Sequence, residues 1–203
     1  MANLMDANLF ENYFYAMNKE AVKNSTKTTS CPEDLNNGLS ICAEKTVYFL
    51  DLNWLEVFTF NNLNELIQIK LVDKNKSSEA KPLISKLLMK EWVPVYCETD
   101  TAVLDIYESQ SSPEASLTIL ENQFIDNAIN EKQNLTILFL SDKFYKKTFN
   151  KKGISSYILA MDTAPENLVT LSLIITPDNL SINFNAPLLA RKNALRYGTM
   201  IKR

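Results

Sequence analysis

Residues 168–188 read LVTLSLIITPDNLSINFNAPL. Leu168–Thr176 and Leu180–Phe184 are candidate strands. Pro177-Asp178-Asn179 between them has tight-turn chemistry, because Pro fixes its φ while Asp and Asn side chains bond nearby backbone. Working back along the chain, Leu135–Leu140 (LTILFL) and Ser156–Met161 (SYILAM) read as further strands, and Tyr197–Ile201 as a closing one. Upstream, Thr46–Leu50 (TVYFL) and Leu55–Phe60 (LEVFTF) are dense in β-branched and aromatic residues. Ile67, Ile69 and Leu71 alternate with Gln68, Lys70 and Val72, the spacing of a strand, although Asn62 and Glu65 could instead cap a short helix. Val95–Glu98 and Ala102–Tyr107 complete the β set.

Three segments carry helical spacing instead. In Ser77–Trp92, Pro82 falls in the opening turn, Leu83, Ile84, Leu87, Leu88 and Trp92 form a stripe, and Pro94 marks the stop. Ser112-Pro113 is a helix start, continued by Leu117, Leu120, Phe124, Ile125, Ala128 and Ile129. At the N-terminus, Phe10, Tyr13, Phe14, Met17 and Ala21 recur at intervals of three and four, with Asp6 as N-cap. The predicted organisation is α+β. An amphipathic helix spans 1–24 and a polar linker spans 25–45. A β-rich domain follows over 46–203, with helical insertions at about 77–92 and 113–131.

Composition narrows the chemistry. The chain has 203 residues, 46% of them apolar, so a sizeable core can form. Its 21 Lys+Arg against 24 Asp+Glu give a net charge of −3, with no global attraction to nucleic acid or anionic membrane. Histidine is absent, which removes Ser-His-Asp and Cys-His nucleophile activation and imidazole metal ligation. The only glycines are Gly38, Gly153 and Gly198, too few and too scattered for a phosphate-cradling loop. Cys31, Cys42 and Cys97 contain no Cys-x-x-Cys pair; three cysteines could still leave one disulfide, but reduced, partly buried thiols are the simpler expectation. No leader pattern and no apolar run long enough to span a membrane is seen, so a cytoplasmic protein without a cofactor is expected.

Candidate chemistry is sparse. The close carboxylates Glu33/Asp34 and Glu98/Asp100 read as solvated loop charges, since sequence proximity does not make two carboxyls converge. Lys143, Lys146, Lys147, Lys151 and Lys152 are interleaved with Phe144, Tyr145 and Phe149. With Arg191, Lys192, Arg196, Lys202 and Arg203 they could bind a single nucleic-acid strand if the aromatics face outward. The favoured reading turns those aromatics inward, and no direct nucleic-acid partner is expected. Lys147 and Cys97 are the residues to test for an enzyme that works without histidine.

The last third carries a resemblance. Asn183, Phe184, Ala186 and Pro187, followed by Gly198, resemble the closing segment of the FliW family of flagellar assembly factors, with Thr199 where the family usually has glutamine. The likeness extends more weakly through Leu135–Tyr157 and fails upstream, where the family's Gly-Phe-Glu signature is missing. It implies a barrel-like β-rich domain over 135–203 that lacks catalytic activity and binds proteins, as FliW proteins bind flagellin and the translational repressor CsrA. Pro187 should then end a strand and Gly198 should enter the last one at positive φ.

The expected function is therefore a non-enzymatic bacterial protein-binding regulator or adaptor. Its partner would be a flagellar or secretion component, or an RNA-binding regulator, held in a hetero-complex. The alternative is an adaptor or chaperone subunit of a secretion system. The expected protein-binding anchors are Phe10, Tyr13, Phe14 and Met17, together with Trp54 and Phe58.

Overall fold

The computed structural model describes residues 7–74, 79–109, 119–149 and 151–200. Its frame is one antiparallel sheet of ten strands: β3 (Thr28–Thr29), β4 (Ser40–Ala43), β5 (Val47–Phe49), β6 (Leu52–Phe60), β7 (Leu66–Lys74), β8 (Trp92–Thr99), β9 (Val103–Asp105), β10 (Leu135–Ser141), β11 (Thr170–Ile175) and β12 (Asn179–Asn185). The spatial order is β3-β4-β6-β7-β12-β11-β10-β8-β9, with β5 paired to β6. β3 and β9 are the two ends and do not pair with each other, so the sheet is open. The fold is α+β as expected, without the closed barrel that the family resemblance implied.

The 168–188 stretch forms its hairpin. Thr170 pairs with Asn185 and Ile175 with Leu180, and the Thr176 amide donates to the Asn179 carbonyl (2.9 Å) across the turn. β12 then pairs with β7, Phe184 opposite Ile69, which brings the two halves of the chain together at the sheet centre.

Alternation sorts the side chains onto two faces. On one face lie Trp54, Phe58, Ile69, Leu71, Ile137, Phe139, Leu171, Leu173, Ile182 and Phe184. Helix Ala80–Met89 covers it with Ala80, Leu83, Ile84 and Leu87. A π-helical turn, Leu120–Ile125, continues into helix Asp126–Glu131 and adds Leu120, Phe124, Ile125 and Ala128. The opposite face carries two smaller clusters. One joins Cys31, Cys42, Val57 and Val72. The other joins Val93, Val95, Leu140, Phe144, Tyr145, Ala160 and Met161.

Several expectations are corrected. The N-terminal segment is not a helix over 1–24. Asn8–Phe10 (β1) and Tyr13–Phe14 (β2) form a small two-stranded sheet, and helix begins only at Lys19, capped by Asn18, and ends at Ser25. The turn forces Glu11 to φ 49°, and Ala16 sits at φ 65° while its amide donates to the Leu66 carbonyl (2.7 Å). Tertiary slots for Phe10 and Tyr13 override the helical spacing. Asp6, its expected cap, lies outside the described residues.

Residues 25–45 are not a free linker. They supply β3 and β4, and Cys31 and Cys42 form a disulfide beneath the loop between those strands. The expectation of three reduced thiols fails because that loop returns Cys42 to within a Cα–Cα distance of 4.9 Å of Cys31; Cys97 stays free and buried.

Ser156–Met161 is not a strand. Ser156 caps helix Tyr157–Asp162 by accepting from the Leu159 amide (3.3 Å), and Ala160 and Met161 face inward. Helix Ala80–Met89 stops before Trp92, because Glu91 turns to φ 62°. Pro94 lies inside β8, where its missing N–H coincides with a bulge against Leu138 and Phe139 of β10. Pro187 does end a strand, but by opening helix Pro187–Met200. That helix takes the place of the expected Tyr197–Ile201 strand through Met200 and contains Gly198, so no strand-entering turn forms there. The Ser112-Pro113 start lies outside the described residues, while Leu120–Glu131 is helical as expected.

The Cys31–Cys42 cross-link closes a short loop and restricts the unfolded chain. Cys31→Ser combined with Cys42→Ser should lower unfolding free energy by roughly 2–3 kcal/mol in urea titrations. Protein purified without reductant and then unfolded should take up a single thiol label, at Cys97. Three labels would refute the pairing.

Candidate functional site

None of the six expected anchors forms an exposed surface. Trp54 and Phe58 are fully buried, Phe10 and Tyr13 nearly so, and Phe14 and Met17 half-buried. Tyr13 meets Phe58 at 4.8 Å between ring centroids, and Phe10 stacks on Phe184 at 4.9 Å. The Trp54 indole donates to the Phe49 carbonyl (2.8 Å). These side chains hold the β1–β2 unit onto the sheet.

The other sequence candidates separate in space. Glu98 accepts from the Tyr96 hydroxyl (3.3 Å), whereas Asp100 accepts from the Asn134 amide (3.4 Å). Glu33 and Asp34 sit exposed in the loop over the disulfide. Burial pushes the Cys97 thiol up to about 12, which holds it in the protonated, weakly nucleophilic form near neutrality. Lys147 is exposed on helix Asp142–Thr148. Phe144 and Tyr145 turn into the core, as expected for the lysine-rich segment. Among the described residues, no group of three or more Cys, Asp or Glu is placed to hold a metal.

The structure instead assembles a polar corner from four segments. The β8–β9 turn is fixed by Thr99, whose hydroxyl accepts from the amides of Ala102 (3.0 Å) and Thr101 (3.3 Å). Helix Asp126–Glu131 ends with Lys132 at φ 54°, which lets the Gln133 amide return to the Ala128 carbonyl (3.0 Å). Gln133 then reaches both ways: its amide nitrogen donates to Glu131 (2.7 Å), and its carbonyl oxygen accepts from the Thr101 hydroxyl (3.5 Å).

Two clefts meet at Gln133. One, of about 290 Å³, is lined by Thr99, Thr101, Gln123, Phe124, Asn127 and Glu131. The other, of about 210 Å³, runs past Lys132 to Thr176, Pro177 and Asp178 of the β11–β12 turn. The hydroxyls, amides and single acids can receive polar side chains.

Beside the first cleft runs β9, whose outer edge pairs with no other strand among the described residues and where Val103 is 58% exposed. Asp105 at its far end accepts from the amides of Tyr107 (2.9 Å) and Tyr157 (2.8 Å), tying the strand to two helices. Burial raises the Tyr157 hydroxyl to about 12, so it stays neutral beside Asp105. Sequence reasoning missed this corner. Its one trace there was the Glu98/Asp100 cluster, read as solvated charge.

A second unusual group is Glu56, in the middle of β6. It lies on the same side of its strand as Trp54 and Phe58, is only 6% exposed, and its Oε1 has no hydrogen-bond partner among the described residues. Burial, and then the nearby Glu11 carboxylate, lift it to about 7. The same two carboxylates, after burial itself, push the Tyr13 hydroxyl above its ordinary range.

No protein-family model, curated protein or solved structure matches this chain.

The sign of the Glu56 effect follows from linkage. The folded chain protonates Glu56 near pH 7 and the unfolded chain near 4.5, so over that interval the folded state binds more protons. Stability should be greatest below about 4.5 as far as this group is concerned, and fall as pH rises through about 7. The loss is of order 2–3 kcal/mol. Glu56→Gln should gain about that much more over the parent at pH 8 than at pH 5 in urea unfolding. Equal gains at both pH values would show that Glu56 does not titrate there.

Proposed function

We propose that the protein is a non-enzymatic protein-binding adaptor that accepts an extended segment of its partner along β9. The observation that carries this reading is the outer edge of β9, unpaired by any strand among the described residues, tied at one end through Asp105 to two helices and bordered by the Gln133 clefts. Backbone groups of an edge strand can pair with an added strand, and adjoining clefts can select among its side chains. The larger cleft is polar, which favours a partner segment rich in hydroxyl, amide or charged side chains.

Under the FliW resemblance, the partner would be a flagellar or secretion component, or an RNA-binding regulator. The Cys31–Cys42 disulfide favours surroundings outside the reducing cytosol. It therefore supports an accessory subunit of a secretion apparatus over a cytosolic regulator. No described helix is long and apolar enough to cross a membrane.

A photo-crosslinking amino acid at Val103 tests the surface. Tyr48, 67% exposed on β5, serves as the control position. In the native host, position 103 should give a discrete covalent adduct with another polypeptide and position 48 should not. Thr101→Arg, which crowds the neighbouring cleft, should reduce the adduct severalfold. Absence of an adduct at 103, or equal labelling at both positions, would refute edge binding.

A further inference from the structure

Helix Asp142–Thr148 divides its residues sharply. Phe144, Tyr145 and Thr148 face the core, while Lys143, Lys146 and Lys147, spaced by three and four, share the exposed side. The turn that follows adds exposed Lys151 and Lys152 before Gly153. Residues 142–153 thus carry five lysines and one acid in a chain whose net charge is −3. Two carboxylates face the lysines. Asp142 pairs with Lys146 at 2.6 Å, and Glu91 lies close enough to raise that lysine's pKa further. Lys143, Lys147, Lys151 and Lys152 carry the remaining charge outward.

Exposed aliphatic side chains occur in the two segments that adjoin this helix. Five residues past Gly153, Ile158 is 70% exposed, and Leu159 follows it on the same short helix. On the other flank the Asp142 amide donates to the Glu91 carbonyl (2.7 Å), which ties the start of the lysine helix to the segment that follows the 82% exposed Met89 and exposed Lys90. Asp162, one turn beyond Ile158, bounds the surface on that side.

We propose that this lysine face, with Ile158, Leu159 and Met89 as shallow apolar anchors, docks on an anionic lipid surface. Charge complementarity sets the sign of the partner, and three features choose among anionic partners. The segment's aromatics point inward, so a nucleic-acid strand would find no stacking platform. The basic residues are all lysines. Arginine forks suit fixed carboxylate or phosphate geometries, whereas flexible ammonium groups suit a diffuse sheet of charge. Exposed aliphatics in the segments adjoining the lysines match the boundary between headgroups and acyl chains. At that boundary each lysine strengthens partitioning roughly fivefold.

Vesicle flotation with the full chain tests it. Vesicles of phosphatidylcholine containing about one-third phosphatidylserine should carry the protein upward at low salt and release it as salt rises. Pure phosphatidylcholine should not carry it. Lys147→Ala with Lys151→Ala should weaken partitioning about tenfold or more. Ile158→Asp should weaken it severalfold. All three positions are exposed, and an unchanged urea midpoint would confirm that each variant is folded. Thr101→Arg, which tests the β9 edge, should leave flotation unchanged. Equal binding to both vesicle types would overturn the proposal. So would capture of polyglutamate or single-stranded oligouridine without capture of anionic vesicles.

Discussion

Phe184 is the contact on which the architecture turns. It sits on β12 between Leu171 and Ile69, and its ring stacks on Phe10 at 4.9 Å. It also meets Phe49 at 6.3 Å and Trp92 at 6.4 Å, both edge-on. One side chain thus joins the N-terminal two-stranded unit, the β5–β6 hairpin, the start of β8 and the central strand pair. Offset and edge-on ring pairs add to the gain from apolar burial, and they are directional. The first strands are therefore placed on the sheet at a defined angle, and the Glu56 carboxyl is enclosed beneath them. Enclosing an acid whose Oε1 has no hydrogen-bond partner among the described residues is the electrostatic cost of that arrangement.

The strands of the central sheet were largely legible, because the strand signal is local. LTILFL, LEVFTF and the two halves of the 168–188 stretch are apolar enough, and bounded clearly enough, to fit little else. SYILAM was misread because six residues are too few to separate a period of two from one of 3.6, and what decided it was the Ser156 cap together with Asp105 accepting from the Tyr157 amide. The N-terminal aromatics were misread for the opposite reason. Their spacing is helical, but their partners, Phe49, Phe58 and Phe184, lie far along the chain. The disulfide was hidden because only the return of β4 beside β3 makes Cys31 and Cys42 neighbours.

The candidate surfaces divide the same way. The lysine helix was visible as a run of charge, and the inward turn of its aromatics follows from helical spacing. The corner around Gln133 was not visible. It is built by the ends of four segments, with Thr99, Thr101, Gln133 and Asp178 drawn together by turns. Polar residues in loops carry no periodicity, so nothing in their order marks the place where they converge.

The chain's shortage of glycine has a consequence for its margin of stability. Among the described residues, Glu11, Ala16, Leu50, Asp51, Asn64, Glu91 and Lys132 all hold left-handed backbone angles that glycine adopts freely. Leu50 and Asp51 together make the two-residue β5–β6 hairpin, where Asn-Gly is the favoured pair. Each such corner stores conformational strain that the surrounding packing must hold in place. The molecule thus works below its thermal ceiling, with reserve that could be released at its bends while the buried interior stayed as it is.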